Sequence, residues 1–370
     1  MGAMMLPLQE IRYCTGAGSV RVATAWAGTG PPVVMAGAWL THLEHDWQNP
    51  GQAHWLRALS QGRSLLRYDA RGNGLSQRNV DRVDFEAWVE DLERIVDAHR
   101  LDRFALFGLS QGASVAVAFA ARHAQRVTHL ALHGPCVRGL LKRNPSEKVV
   151  AAARAMLPAA EAGWGVDSST FRKMFLHGLV RSATPEQLRV MDEGQRHTVS
   201  ADVAVKFLQA AYDIDISGEA PRVACPTLIT HSEQDPCFPF SEGAQLASLI
   251  PDAMLVPLQS NNHLLMPDEP AWQVALRALD AFLPSAARQA GSALTVRQVE
   301  VLEHIAHGRT DKEIARLLGL SPRTVEMHVG RVLHTLGCSN RAEAATRGGE
   351  LGLFSAAPTV SYRSRKSTLP

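Results

Sequence analysis

Up to about Leu283 the chain is built from short apolar runs separated by polar and glycine-rich stretches. Val33-Val34-Met35-Ala36, Leu65-Leu66-Arg67-Tyr68, Phe104-Ala105-Leu106-Phe107, Leu130-Ala131-Leu132, Thr227-Leu228-Ile229-Thr230 and Met254-Leu255-Val256 are all of strand length. A compact apolar run bounded by turn formers suits a strand buried on both faces. An earlier pair, Ile11 to Cys14 and Val20 to Trp26, flanks Gly16-Ala17-Gly18 and predicts the antiparallel hairpin that opens the sheet. Between several runs the period lengthens, and Phe85 to His99 and Ala113 to His123 read as helices. That alternation predicts an α/β fold, a mostly parallel eight-stranded sheet covered on both faces. From about Val137 to Arg222 it stops. The stretch is mostly helical in pattern and carries Trp164, Phe171, Phe175, Phe207 and Tyr212, so we read it as an inserted cap whose aromatics are candidates for lining a pocket.

The pattern changes again after Phe282-Leu283-Pro284. Residues 286–293 are small and polar, a predicted linker after a first domain spanning 1–285. Four helix starts then follow closely. Thr295-x-x-Gln298 and Thr310-x-x-Glu313 are capping boxes, Ser321-Pro322 puts proline at the first helical position, and Asn340 stands three before Glu343. Gly308, Gly319 and Gly337 sit where helices must stop. Val299, Leu302 and Ile305, then Ile314 and Leu318, then Val325, Val329, Val332 and Leu336 recur at helical spacing and can share one core. The second domain is therefore a four-helix unit over 294–354, and the unpatterned tail 355–370 is expected to be disordered.

Composition bounds the function. At 370 residues and 46% hydrophobic the chain can fill two cores. There is no run of about 18 apolar residues, and Met1 to Pro7 lacks a signal-peptide layout, which predicts a cytoplasmic protein without a membrane segment. Five scattered cysteines, never spaced Cys-x-x-Cys, predict reduced thiols and neither a disulfide framework nor a metal site. No cofactor motif is present. Charge is unevenly spread: from Ser292 onward 11 Lys/Arg face 7 Asp/Glu, whereas the rest of the chain has 27 against 29. A small basic domain is a modest footprint for phosphate binding.

The chemistry lies in Gly108-Leu109-Ser110-Gln111-Gly112. Glycines on each side of Ser110 permit a sharp strand-to-helix turn that displays the hydroxyl at a helix N-terminus, where free amides favour a developing oxyanion. The Gln111 N–H is one natural donor. A serine nucleophile needs a base and an orienting carboxylate, in the order Ser, Asp, His. Asp235 follows the strand 227–230, and His263 follows the strand 254–256. Residues 10 to 285 resemble the α/β-hydrolase superfamily on these motifs. The resemblance implies Ser110 as nucleophile, Asp235 as acid and His263 as base, with Tyr68 to Ser76 as a structural turn that leaves Asp69 outside the triad. Where the family often has His-Gly after its third strand, this chain has Ala36-Gly37-Ala38-Trp39; a backbone donor at Ala38 or Trp39 is then the expected second arm of the oxyanion hole.

The tight turn Gly319-Leu320-Ser321 between the second and third helices of the back domain has the geometry of a helix-turn-helix. Leu294-Thr295, Glu300-Val301-Leu302, Gly308, Lys312-Glu313-Ile314-Ala315, Ser321, Thr324-Val325, His328, Leu336-Gly337 and Asn340-Arg341 resemble the LuxR-type DNA-binding domain. That implies a third helix in the major groove presenting Arg323, Thr324, Glu326, His328 and Arg331, with Arg309 and Lys312 at phosphates. Glu326 and Thr335 stand where many members carry basic residues, which alters base preference.

Joining an activated serine to a DNA-reading helix points to a transcription regulator that senses a small molecule, an ester or lactone by the chemistry, and has the parts to turn it over. Its expected DNA partner is a double-stranded operator bound as a homodimer. A working esterase or lactonase that destroys its own inducer is the alternative reading. A third makes the front domain a dimerisation scaffold.

Overall fold

In the computed structural model the described residues are 9–37, 39–167, 169–286 and 294–354. Contacts divide the chain into two compact units that part between Pro284 and Ser285. The predicted linker over 286–293 and the tail 355–370 lie, save Ala286, outside the described residues.

The first unit is an eight-stranded sheet of β1 (Glu10–Thr15), β2 (Arg21–Ala27), β3 (Pro32–Met35), β4 (Ser64–Tyr68), β5 (Phe104–Leu109), β6 (Val127–His133), β7 (Thr227–Ser232) and β8 (Ala253–Leu258), in the order β1-β2-β4-β3-β5-β6-β7-β8. β2 is antiparallel to both β1 and β4, and the pairings from β4 to β8 are parallel. Central β5 is buried along its whole length. Its residues alternate between two cores, as period two requires: Phe104 and Leu106 pack on one face, Ala105, Phe107 and Leu109 on the other.

Helices α1 (Ala53–Ser60), α2 (Phe85–Ala98) and α3 (Gln111–Arg122) flank the sheet. Between β6 and β7 come α4 (Glu147–Gly163), α5 (Thr170–His177), α6 (Pro185–Thr198) and α7 (Ala201–Tyr212), the helical cap. α8 (Phe240–Leu249) and α9 (Pro270–Phe282) complete the unit. The cap contains an Arg172–Asp192 ion pair whose arginine is almost fully buried and also donates to the Val166 carbonyl. At the turn after β4, Arg71 forks onto Asp91 of α2 through two 2.7 Å bonds, both side chains 2% exposed. Asp69 accepts the Leu75 N–H at 2.7 Å within that turn.

The second unit packs α10 (Val296–Ala306), α11 (Asp311–Leu318), α12 (Pro322–Leu336) and α13 (Arg341–Glu350). Both capping boxes form, at Thr295 with Gln298 and at Thr310 with Glu313. Ser321 and Asn340 accept the N–H groups three residues on. Gly319 and Gly337 end their helices at φ 66° and 65°, in the left-handed region that favours glycine. Val301, Ile305, Ile314, Val325 and Val329 form the centre of the core.

Candidate functional site

Ser110 lies between β5 and α3 with φ 55° and ψ −127°, a conformation that non-glycine residues seldom adopt. Its N–H donates to the His133 carbonyl at 2.9 Å, which ties the strained turn to β6. Gly108 has no alternative: a Cβ there would come within 2.5 Å of the Ala113 Cα. At the first helical position, the Gln111 N–H has no partner inside α3.

His263, in the loop after β8, brings Nε2 to 2.7 Å from Ser110 Oγ and Nδ1 to 2.7 Å from Asp235 Oδ2. The other Asp235 oxygen accepts the N–H groups of Cys237 and Phe238 at 2.7 and 2.8 Å. Burial pushes the Asp235 carboxyl up, but the His263 imidazole, its hydrogen bond and the Phe238 amide together outweigh burial and hold it below its ordinary value. Two further histidines back the array. His133 bonds the His263 carbonyl at 3.1 Å, and His231 lies 3.5 Å from Asp235. Burial is the largest cause lowering both, His133 to about 3. Gly134, at φ 55°, clears room for the imidazole, since a Cβ would meet its Cε1 at 3.0 Å.

The array opens on a cavity of about 510 Å³ between sheet and cap. Ser110, Gln111, Trp39 and His263 reach it from the sheet side; Phe175 and Tyr212 reach it from the cap. Both polar atoms of the Gln111 side chain are buried and have no hydrogen-bond partner among the described residues. The His263 loop hangs from the cap: His263 N–H donates to the Leu179 carbonyl at 2.8 Å, and Asn262 Oδ1 accepts from the Arg181 and Ser182 amides.

In the second unit Val325, Val329 and Val332 turn one face of α12 inward, leaving Arg323, Glu326 and Arg331 exposed and Thr324 and His328 half-buried. Lys312 is exposed on the first turn of α11, whereas Arg309 is half-buried with Nη1 2.6 Å from His304 Nδ1.

A family model described as alpha/beta hydrolase fold matches residues 31–270. The chain belongs to the α/β-hydrolase fold family. In this α/β-hydrolase a second family model, bacterial regulatory proteins of the luxR family, matches residues 292–347, so a LuxR-type DNA-binding domain is fused behind the hydrolase domain. Among its relatives, the AB hydrolase superfamily protein YisY of Bacillus subtilis is 24% identical over 253 residues, which cover 64% of this chain and 86% of YisY. The transcriptional regulatory protein UhpA of Salmonella typhimurium is 50% identical over 54 residues, 15% of this chain and 28% of UhpA. The esterase EaEST from Exiguobacterium antarcticum superimposes with a TM-score of 0.63 at 20% identity, covering 73% of this chain and 97% of that one, a likeness of fold.

Not every predicted residue of the α/β-hydrolase domain falls at its cavity. Trp164, Phe171 and Phe207 are buried and do not line it. Their rings pack on each other and on neighbours instead: Trp164 on Phe171 with centroids 6.1 Å apart, and Phe207 between Trp88 and Trp39. Ala38 lies outside the described residues. Phe238, edge-on to the His263 ring at 5.2 Å, was missed from sequence; the Asp235-Pro236-Cys237-Phe238 turn was its available signal.

Proposed function

We propose that this chain is a DNA-binding transcription regulator whose hydrolase domain takes a small ester or lactone into the cavity and couples its occupancy to operator binding. The observation that carries this reading is the hydrogen-bonded line from Ser110 through His263 to Asp235, opening on a cavity in a chain that also has a LuxR-type domain. In this reading Ser110 Oγ attacks the acyl carbon while His263 Nε2 takes its proton. The charged imidazole is stabilised by Asp235, and the carbonyl oxygen becomes an oxyanion held by the Gln111 N–H and by an amide of the Ala38-Trp39 loop. His263 then protonates the leaving oxygen, and water reverses the sequence.

The DNA side uses α12 in the major groove, with Arg323, Thr324, Glu326, His328 and Arg331 facing bases or backbone and Arg309 and Lys312 at phosphates. One short helix covers too little DNA for tight specific binding, so a homodimer on a two-fold site is the assembly proposed. Lys312 and Arg331, exposed and without an ion pair among the described residues, support the DNA contacts. The assembled relay also favours a second reading, an esterase or lactonase that consumes its inducer. A fluorophosphonate, which fills the cavity and Ser110 together, tests both: mass spectrometry locates the adduct while affinity for duplexes selected by the full chain is measured. An adduct on Ser110 with altered DNA affinity supports the sensor; an adduct without any change supports the enzyme; no adduct overturns the serine chemistry.

A further inference from the structure

Arg143 follows a short turn of helix, Leu140–Lys142, in the segment that leads from β6 into the cap, and it lines the cavity. Only its Nε is engaged, donating to the Arg138 carbonyl at 2.7 Å; the two terminal nitrogens make no hydrogen bond among the described residues. The side chain is 15% exposed. Its Cζ lies over the Phe238 ring, 5.5 Å from the centroid, and Phe238 meets the His263 ring edge-on at 5.2 Å. The free face of the guanidinium is thus one aromatic ring away from the imidazole.

Local charge is unbalanced. Glu242 is the carboxylate beside it, 3.8 Å from Arg143 Nε, but it is shared with Arg138 at 3.7 Å. Its Oε2 also accepts the N–H groups of Val137 and Arg138 at 3.0 and 2.8 Å. Two guanidinium groups therefore face a single buried carboxylate. A largely desolvated arginine with two unused donors is costly to hold, and an oxyacid anion offers it a matching fork.

We propose that Arg143 is an anion subsite, and that the compound taken by this cavity carries a carboxylate a few bonds from its reacting carbonyl: a dicarboxylic acid monoester or a carboxylated lactone. The proposal rests on the serine chemistry above for its position and on Arg143 alone for its charge selectivity.

The test compares 4-nitrophenyl hydrogen adipate with the neutral 4-nitrophenyl methyl adipate, as a ratio of kcat/KM, in the full-length protein. The charged ester is preferred, and Arg143→Gln lowers that ratio by at least about tenfold, the usual size of a charge-assisted bond. Arg143→Lys keeps part of the preference. Arg189→Gln, which removes a second cavity-wall arginine already held by Glu186 through two nitrogens, leaves the ratio in place. An unchanged ratio in Arg143→Gln, or an equal fall in Arg189→Gln, overturns the proposal. If neither ester turns over, the serine chemistry is what has failed. Calorimetry then decides the subsite separately: monomethyl adipate binds Ser110→Ala at least about tenfold more tightly than it binds Ser110→Ala with Arg143→Gln. Equal affinities overturn it.

Discussion

Asn262 Oδ1 accepts the backbone N–H of Arg181 at 2.8 Å, so the residue before the candidate base is fastened to the cap. The same oxygen takes the Ser182 N–H at 3.1 Å, while Nδ2 donates to Ser182 Oγ at 2.6 Å. Asn262 is fully buried, so no water stands ready to replace these bonds. A shift of the cap at 179–182 must pull on the loop that aims His263.

Asn262→Ala should therefore cost about 1–3 kcal/mol of stability, the usual penalty for orphaned buried donors. It should also slow phosphonate labelling of Ser110 about tenfold or more by loosening the imidazole. Denaturant unfolding and labelling rates check this; a stable variant that labels at the parental rate contradicts a positioning role.

Ser110 and His263 make the next pair. Ser110→Ala should abolish covalent labelling, and His263→Ala should suppress it by about a hundredfold or more, because His263 is the side chain bonded to Oγ among the described residues. Asp235→Asn should slow it strongly as well: Asn preserves the turn at Cys237 and Phe238, but its amide nitrogen donates to His263 Nδ1 and leaves the proton on Nε2. Time courses of labelling rank the three. Equal labelling of the parent and His263→Ala would remove the general base from the account.

Asp69 sets a pH dependence. Burial first, and the nearby Asp46 charge second, push its carboxyl up to about 8. A carboxyl raised in the folded state favours folding in its protonated form, so its contribution is whole below the unfolded value near 4 and is lost as pH climbs through 8. Asp69→Asn keeps an acceptor for the Leu75 N–H and does not titrate. The melting temperature of the parent relative to Asp69→Asn should fall between pH 5 and pH 8. A constant difference across that range contradicts the assignment.

How much of this is legible in the sequence follows from where each element is buried. The central parallel strands announce themselves because, buried on both faces, they are continuous apolar runs; β5 is the clearest. α1 is harder to read because it is only eight residues long, although His54, Arg57 and Ser60 recur three residues apart along it. α9 escaped notice although Pro270 marks its start. The back domain is the most readable part, since its helix ends carry caps that form as written, at Thr295, Thr310, Ser321 and Asn340. At the site, the elbow motif, the chain order and the ends of two strands suggested the trio that the fold brings within hydrogen-bonding distance. Arg143 and Asn262 were invisible, because their roles arise from contacts such as Asn262 with Arg181, 81 residues apart. The cap aromatics divided by packing: Phe175 and Tyr212 line the cavity while Trp164, Phe171 and Phe207 fill the wall behind it.

On the DNA side, Lys312→Ala should weaken binding to all duplexes alike and reduce the slope of log affinity against log salt by about one, the signature of one lost phosphate contact. Arg331→Ala should weaken selected duplexes as well, and filter binding from low to high salt separates the two. A Lys312→Ala slope equal to the parent's removes that residue from the phosphate surface.

The central claim is coupling between cavity and DNA, and Ser110→Ala allows it to be measured without turnover. Affinity for the selected duplex is determined with and without a saturating, non-hydrolysed cavity ligand such as monomethyl adipate, and ligand affinity is determined with and without the duplex. A sensor shows a change of about 5- to 150-fold in DNA affinity, with the identical factor in ligand affinity, as linkage requires. A ligand that fills the cavity and leaves the DNA affinity unchanged would contradict the account, because equal affinity for two states shifts neither.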